Sequence, residues 1–484
     1  MSKLDIPLDG RQAFIGGQWV VLDGCGSIPV ISPADESHLG EIAACTAAHV
    51  DQAVAAIRPA LDGWKALSVA QRTKYLERYA RAIAAHEDEL ADYDVRDAGM
   101  TRSKALADVR RSVRWIGEYC AYALDLTGRQ FPSSGDTLVY TAREPYGIVG
   151  QIIPFNHPEN FAVKAIAPAV LTGNAVLAKP PEQASLSALA LAELARDIFP
   201  PGIVNVLTGH GHEVGAAIVA HPAIPRINFT GSVPTGRRIL EGAAHGIKHV
   251  TLELGGKNPL ILTGGLDPEF AAKLALKNMN LTHAGQSCQS STRVLVHRSI
   301  YGDVVERLAG LMAQVVVGDP GDPATQMGPL GFGGHFVRVM DYVRIGKAEG
   351  ATLRFGGVRP DGMDKGYYVL PTLFSDVTPD MQIARDEIFG PVVCLIPWDT
   401  EDEVVAIAND TDMGLNCRVF APTVEEGLRI GKRIESGLCY VNTSAPLDPG
   451  VPNGGFKQSG FGKRNCAEEV LSYTRERTYA VGIG

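Results

Sequence analysis

An α/β fold built on two doubly wound parallel sheets is predicted by three features of the chain. From about Gly147, short β-branched runs alternate with helical segments, the texture of strands joined by crossover helices. A second β/α series occupies about residues 256–459. The length of 484 residues exceeds the ~250–300 at which a single core usually stops growing, so more than one domain is expected.

The elements follow in chain order. Residues 50–124 are rich in Ala, Leu, Arg and Glu with apolar positions at helical spacing, and Ser68 is a helix N-cap candidate before Val69-Ala70-Gln71. Residues 128–143, with Pro132-Ser133-Ser134-Gly135-Asp136 as the turn, read as a hairpin interrupting the first domain. Buried strands are expected at 148–153, 175–178, 203–207, 226–229 and 250–254, with helices at 185–198 and 213–220. Near the C-terminus, Tyr473-Thr474-Arg475-Glu476-Arg477-Thr478-Tyr479 alternates as a strand does, and an unpaired edge strand invites a neighbouring subunit.

Composition narrows the function. Hydrophobic content of 45% with 20% charged residues describes a folded globular chain. A net charge of −9 argues against nucleic acid, which needs clustered Lys and Arg. No apolar run approaches the ~18–20 residues of a membrane span, and the N-terminus lacks a basic region followed by an apolar stretch. The eight cysteines are scattered, which disfavours both a zinc site and a disulfide framework; a reducing cytoplasm is the expected compartment.

Several motifs carry chemistry. Cys288 closes Gly285-Gln286-Ser287-Cys288, and Glu253 sits in Leu252-Glu253-Leu254-Gly255-Gly256. A nucleophilic thiol needs a base or a lowered pKa, which a nearby carboxylate could serve; alternatively Cys288 is a small buried hydrophobe. The turn from Gly231 and Ser232 to Gly236, between a strand and a helix, offers backbone N–H groups to a phosphate, although Gly-x-x-x-x-Gly is not the usual dinucleotide spacing. Lys179 and Glu182 follow a strand end, where ligands bind in parallel sheets, or form a solvated pair. Asn156 carries an amide suited to a developing oxyanion, whereas His157 reads as a hydrogen-bonding loop residue.

Taken in order, these motifs resemble the aldehyde dehydrogenase superfamily over nearly the whole chain. The matches are Pro154-Phe155-Asn156, Gly173-Asn174 with Lys179 and Glu182, and Phe229-Thr230-Gly231-Ser232 with Gly236. They continue with Leu252-Glu253-Leu254-Gly255-Gly256-Lys257, Gly285-Gln286-Ser287-Cys288, Glu387-Ile388-Phe389-Gly390-Pro391 and Gly454-Gly455-Phe456-Lys457-Gln458-Ser459-Gly460.

The resemblance implies a Rossmann-like cofactor domain in residues 1–122 and 146–255 and a catalytic domain in 256–457. It also implies an oligomerisation element in 123–145 and 458–484, serving a homodimer or homotetramer. Cys288 would attack the aldehyde to give a thiohemiacetal, with Asn156 and the Cys288 N–H as oxyanion hole. Hydride transfer would leave a thioester, and Glu253 would activate the water that hydrolyses it. Phe155, Gly231, Ser232 and Gly236 would line the cofactor site. Lys179 and Glu182 would meet the adenosine ribose, and Glu387 the nicotinamide ribose, with Phe389 beside the ring. Glu182 favours NAD over NADP, because a carboxylate accepts from ribose hydroxyls and repels a 2′-phosphate.

Departures from the family pattern matter too. Val233-Pro234 replaces more usual residues in the phosphate turn, and the lysine expected at position 165 is Ala165, with Lys164 before it. The positions of a substrate tunnel hold the polar residues His157, Asn160, Lys164 and Asn453, which either favours a polar or aromatic aldehyde or a semialdehyde over a purely aliphatic one or reflects side chains that point into solvent at the tunnel mouth. Branches that pass the acyl group to coenzyme A generally lack the glutamate, so Glu253 favours water. A coenzyme A-acylating enzyme and a catalytically silent family member are the alternatives.

Overall fold

Residues 148–152 and 226–230 lie side by side at the centre of the first sheet, and the chain leaves them in opposite directions. The computed structural model describes residues 4–483 apart from Ser134, Pro446 and Pro449. Five parallel strands run in the order Val204–Val206, Ala175–Lys179, Ile148–Ile152, Arg226–Thr230, His249–Glu253. Strand order therefore reverses between Ile148–Ile152 and Arg226–Thr230, which opens a crevice at their carboxyl ends. Most of these strand positions are buried, as expected where helices cover both faces of a parallel sheet.

Two additions at the edges escaped the sequence reading. The short strands Gln12–Ile15 and Gln18–Val21 extend one side antiparallel. Gly460–Phe461, assigned from the sequence to the oligomerisation element, instead pairs antiparallel with Leu252 and Glu253. Its two residues carry no alternation that would mark a strand.

The second sheet orders Thr352–Phe355, Thr372–Ser375, Val392–Trp398, Arg293–His297, Pro259–Leu262, Asn416–Phe420 and Leu438–Val441. All its pairings are parallel except that of Thr352–Phe355 at one edge. A third, antiparallel sheet joins Gln130–Phe131, Thr137–Pro145 and Thr474–Gly482, so the expected hairpin and C-terminal strand belong together. The proposed turn between them includes Ser134, outside the described residues.

The 50–124 region divides into helices Ala47–Ala66, Val69–Ala85, Glu87–Ala98 and Arg102–Tyr122. Ser68 caps the second as expected: its Oγ accepts from the Gln71 N–H, and its own N–H donates to Gln71 Oε1 at 2.8 Å. The expected helix at 213–220 shrinks to Ala216–Ala220, preceded by a wide turn, Gly211–Gly215. Glycine at both ends of that turn weakens regular helix there. Among the described residues no helix is long and apolar enough to cross a membrane.

Candidate active site

The crevice holds a cavity of about 700 Å³ lined by Phe155, Asn156, Glu253, Cys288, Glu387 and Phe389, and by Lys179, Glu182 and Ser232 towards its other end. The geometry thus brings together residues spread over more than two hundred positions.

Cys288 lies in the loop before Arg293–His297. Ala284 (φ 49°) and Gly285 (φ 71°) turn that loop through left-handed backbone, and a Cβ on Gly285 would stand 2.4 Å from the Gly390 carbonyl oxygen. Gln286 pins the loop: its Nε2 donates to the His283 carbonyl at 3.1 Å, and its Oε1 accepts from the Gly331 N–H at 2.9 Å. Burial, with the carboxylates of Glu253 and Glu387 nearby, pushes the Cys288 thiol up to about 12. The resting group is a thiol, so it needs a proton acceptor to react.

Glu253 ends the strand His249–Glu253, with its main-chain carbonyl held by the Gly231 N–H at 3.0 Å. Its Oε1 is buried without a hydrogen-bond partner among the described residues. Burial pushes its carboxyl up to about 7, against the opposing pull of Arg464 and Lys164. Near neutral pH it is poised to take up or release a proton. Asn156 begins the turn into helix Pro158–Leu171 and donates through Nδ2 to the Gln286 carbonyl at 3.0 Å, two residues before the sulfur.

At the other end, Lys179 Nζ meets Glu182 Oε2 at 2.7 Å and the Pro180 carbonyl at 2.9 Å. Glu182 Oε1 also accepts from the Gly211 N–H at 3.4 Å. Ser232 caps helix Val233–Ala244, with Oγ accepting from the Thr235 N–H. Pro234 falls in that helix's first turn, where a missing N–H costs nothing, so the unusual Val233-Pro234 is accommodated. A Cβ on Gly236 would stand 2.9 Å from Leu254, so glycine there allows close helix–strand packing. Glu387 Oε1 accepts from the Gly256 N–H at 3.0 Å, and Phe389 (φ 61°) packs edge-on against Phe155, ring centroids 5.7 Å apart.

The four polar tunnel candidates behave differently from one another. His157 Nδ1 bonds Asp108 Oδ2 at 2.7 Å, and Asp108 also pairs with Lys104. Asn160 Nδ2 donates to Ser112 Oγ at 2.9 Å. Both therefore spend polar atoms on helix Arg102–Tyr122. Asn453 exchanges backbone hydrogen bonds with Arg464 and leaves Oδ1 buried and, among the described residues, unpartnered. Lys164 places its ammonium 4.9 Å from the Trp115 ring centroid and 5.7 Å from that of Phe161.

Arg464 went unnoticed in the sequence. Its guanidinium, 7% exposed, pairs with Glu469 at 2.8 Å and donates to Asn228 Oδ1 at 2.7 Å, while Glu469 also accepts from the Tyr119 hydroxyl at 3.0 Å. The only sequence signal was a basic pair, Lys463-Arg464, after the Gly454–Gly460 motif. Removing one member of a buried pair strands the other's charge. R464A is therefore expected to cost about 3–5 kcal/mol, read as a lower urea midpoint, with R464M/E469M recovering part of the loss. An unchanged midpoint in R464A would contradict the pairing.

Residues 19–479 match a family model described as the aldehyde dehydrogenase family. A betaine aldehyde dehydrogenase of Brucella canis is 39% identical over 97% of this chain and 97% of its own length. A peroxisomal aminoaldehyde dehydrogenase 2 of Pisum sativum is 37% identical, covering 95% of this chain and 93% of its own. The NAD⁺ complex structure of an aldehyde dehydrogenase from Bacillus cereus superposes with a TM-score of 0.94 at 37% identity, over 98% of this chain and 97% of that one.

Proposed function

We propose, from the premise that this chain belongs to the aldehyde dehydrogenase family, that it oxidises an aldehyde to the carboxylic acid through an acyl group carried on Cys288 and released to water by Glu253. The chain is an NAD-dependent aldehyde dehydrogenase. One observation carries the finer mechanism: a buried thiol shares a cavity with a carboxylate that has an oxygen unpartnered among the described residues, and burial pushes that carboxyl up to about 7.

The donor set fits a dinucleotide. Glu182 would offer carboxylate oxygens to ribose hydroxyls, the N-terminus of helix Val233–Ala244 would take the pyrophosphate, and Glu387 would hold the second ribose. The chemistry supplied by bound NAD is acceptance of hydride from the former aldehyde carbon.

The chain's own residues do the rest. The Cys288 thiol loses its proton to solvent water as its sulfur bonds the carbonyl carbon, and the carbonyl oxygen gains negative charge. Asn156 Nδ2 and the Cys288 N–H donate to that oxygen. After oxidation the carbon is a thioester on Cys288. Ionised Glu253 takes a proton from water, the hydroxyl adds to the thioester carbon, and the C–S bond breaks to return the thiolate and release the acid. A polar or aromatic aldehyde or a semialdehyde is the proposed substrate class. The proposed assembly is a homodimer or homotetramer using the strand Thr474–Gly482, and the proposed compartment is the cytoplasm, where the free thiols stay reduced.

The test follows near-ultraviolet cofactor reduction with NAD or NADP across aliphatic, aromatic and semialdehyde substrates, with and without coenzyme A. Reduction of NAD in preference to NADP, with free acid as product and no stimulation by coenzyme A, is expected. An acyl-coenzyme A product would move the chain to the acylating branch, and silence on every aldehyde with NAD binding intact would sink the catalytic reading.

A further inference from the structure

We infer that the substrate carries an anionic group, a carboxylate, at the end remote from its aldehyde, and that Lys164 selects for it. The inference rests on the reading of Cys288 as acyl carrier and deepens it.

Position comes first. Helix Pro158–Leu171 follows the turn that holds Asn156, and Phe161 on its first turn lines the cavity that also holds Cys288, whereas Lys164 lies outside that lining. Lys164 stands one turn further, with its ammonium against the Phe161 and Trp115 rings. Its charge reaches both working groups, opposing the upward shifts of Cys288 and Glu253.

Lack of a partner comes second. Other largely buried lysines are satisfied within the chain: Lys179 by Glu182, Lys104 by Asp108, Lys257 by the Ile383 carbonyl, Lys248 by the His221 carbonyl. Among the described residues, Lys164 has no hydrogen-bond acceptor and no carboxylate within ion-pair distance. Its charged surroundings are the carboxylates of Glu469, Glu253 and Glu118, the last with an unpartnered Oε2, and the cations Arg464 and Arg111. Trp115 adds another buried donor without an acceptor, its Nε1. Lys164 is half-buried with no acceptor beside a buried, unpartnered indole N–H, and a carboxylate accepting from both would satisfy them.

Occupancy comes third. Aromatic faces that would attract a quaternary or protonated amine already hold the chain's own ammonium. A cationic aldehyde meets like charge there, so an amino- or trimethylammonium aldehyde is a poor substrate for this chain. A dicarboxylic semialdehyde is the favoured class.

The experiment compares aldehydes of equal chain length ending in carboxylate, methyl or trimethylammonium, on the parent protein and on K164Q and K164R. In the parent, kcat/KM for the carboxylate is expected to exceed that for methyl by at least tenfold, with the ammonium slowest. K164Q should shrink the carboxylate-to-methyl ratio at least tenfold, mainly through KM, and K164R should keep most of it. Equal or better turnover of the ammonium aldehyde, or an unchanged ratio in K164Q, overturns the proposal. Calorimetry of glutarate binding to C288A and C288A/K164Q decides the same question without turnover. Binding lost with the lysine supports it; binding indifferent to the lysine overturns it. Silence on every aldehyde would then count against the reaction, not against the lysine.

Discussion

Replacing Cys288 by alanine is expected to lower aldehyde turnover by ~10⁴ or more while leaving NAD binding in place. Nucleophile, base and oxyanion donors act as one unit, and loss of the covalent centre leaves only binding and polarisation. The substitution removes one sulfur from a loop held independently by Gln286 and the left-handed turn at Gly285, so the fold should persist. Steady-state kinetics beside cofactor titration separate the two effects. Turnover within tenfold of the parent would remove Cys288 as nucleophile.

Glu253→Gln has the second largest expected effect and a different signature. Glutamine keeps the shape of the side chain but cannot accept the proton of water. Turnover should fall by ~10²–10⁴, while a single rapid equivalent of cofactor reduction per subunit survives, because the thiol proton leaves to solvent and not to this carboxylate. The pH dependence follows from the same group. A general base works only when ionised, and burial raises this carboxyl to about 7, so hydrolysis-limited turnover should climb with pH through about 7 and level off above it. Below that point the protonated acid predominates and the rate should drop about tenfold per pH unit. Lys164 and Arg464 oppose the rise, so K164Q should move this limb to higher pH. A flat profile between pH 6 and 8 would contradict the base role.

How much the sequence revealed depended on whether the signal was local. Cys288 and Glu253 were visible because small, glycine-rich neighbours flank them, and the left-handed Gly285 and the tightly packed Gly255 give the physical reason. The central strands were visible because short β-branched runs alternate with helical segments, the residue type that burial on both sheet faces favours. The edge strands Gln12–Ile15 and Gly460–Phe461 were not, since runs of two to four residues carry too little periodicity. His157 and Asn160 stood out as polar, but their partners Asp108 and Ser112 come from a helix about fifty residues earlier. Arg464 was hidden for a related reason. Its role depends on Asn228, more than two hundred positions away, and on Glu469, whose own burial nothing local announces.

The decisive measurement is peptide mass analysis of E253Q mixed with NAD and a good aldehyde and quenched in acid within seconds. Near-stoichiometric acyl mass on the peptide containing Cys288, decaying far faster in the parent protein, is the expected result. Free acid forming at the parental rate with no adduct on Cys288, or an adduct on another residue, would contradict acyl transfer through Cys288 to water activated by Glu253.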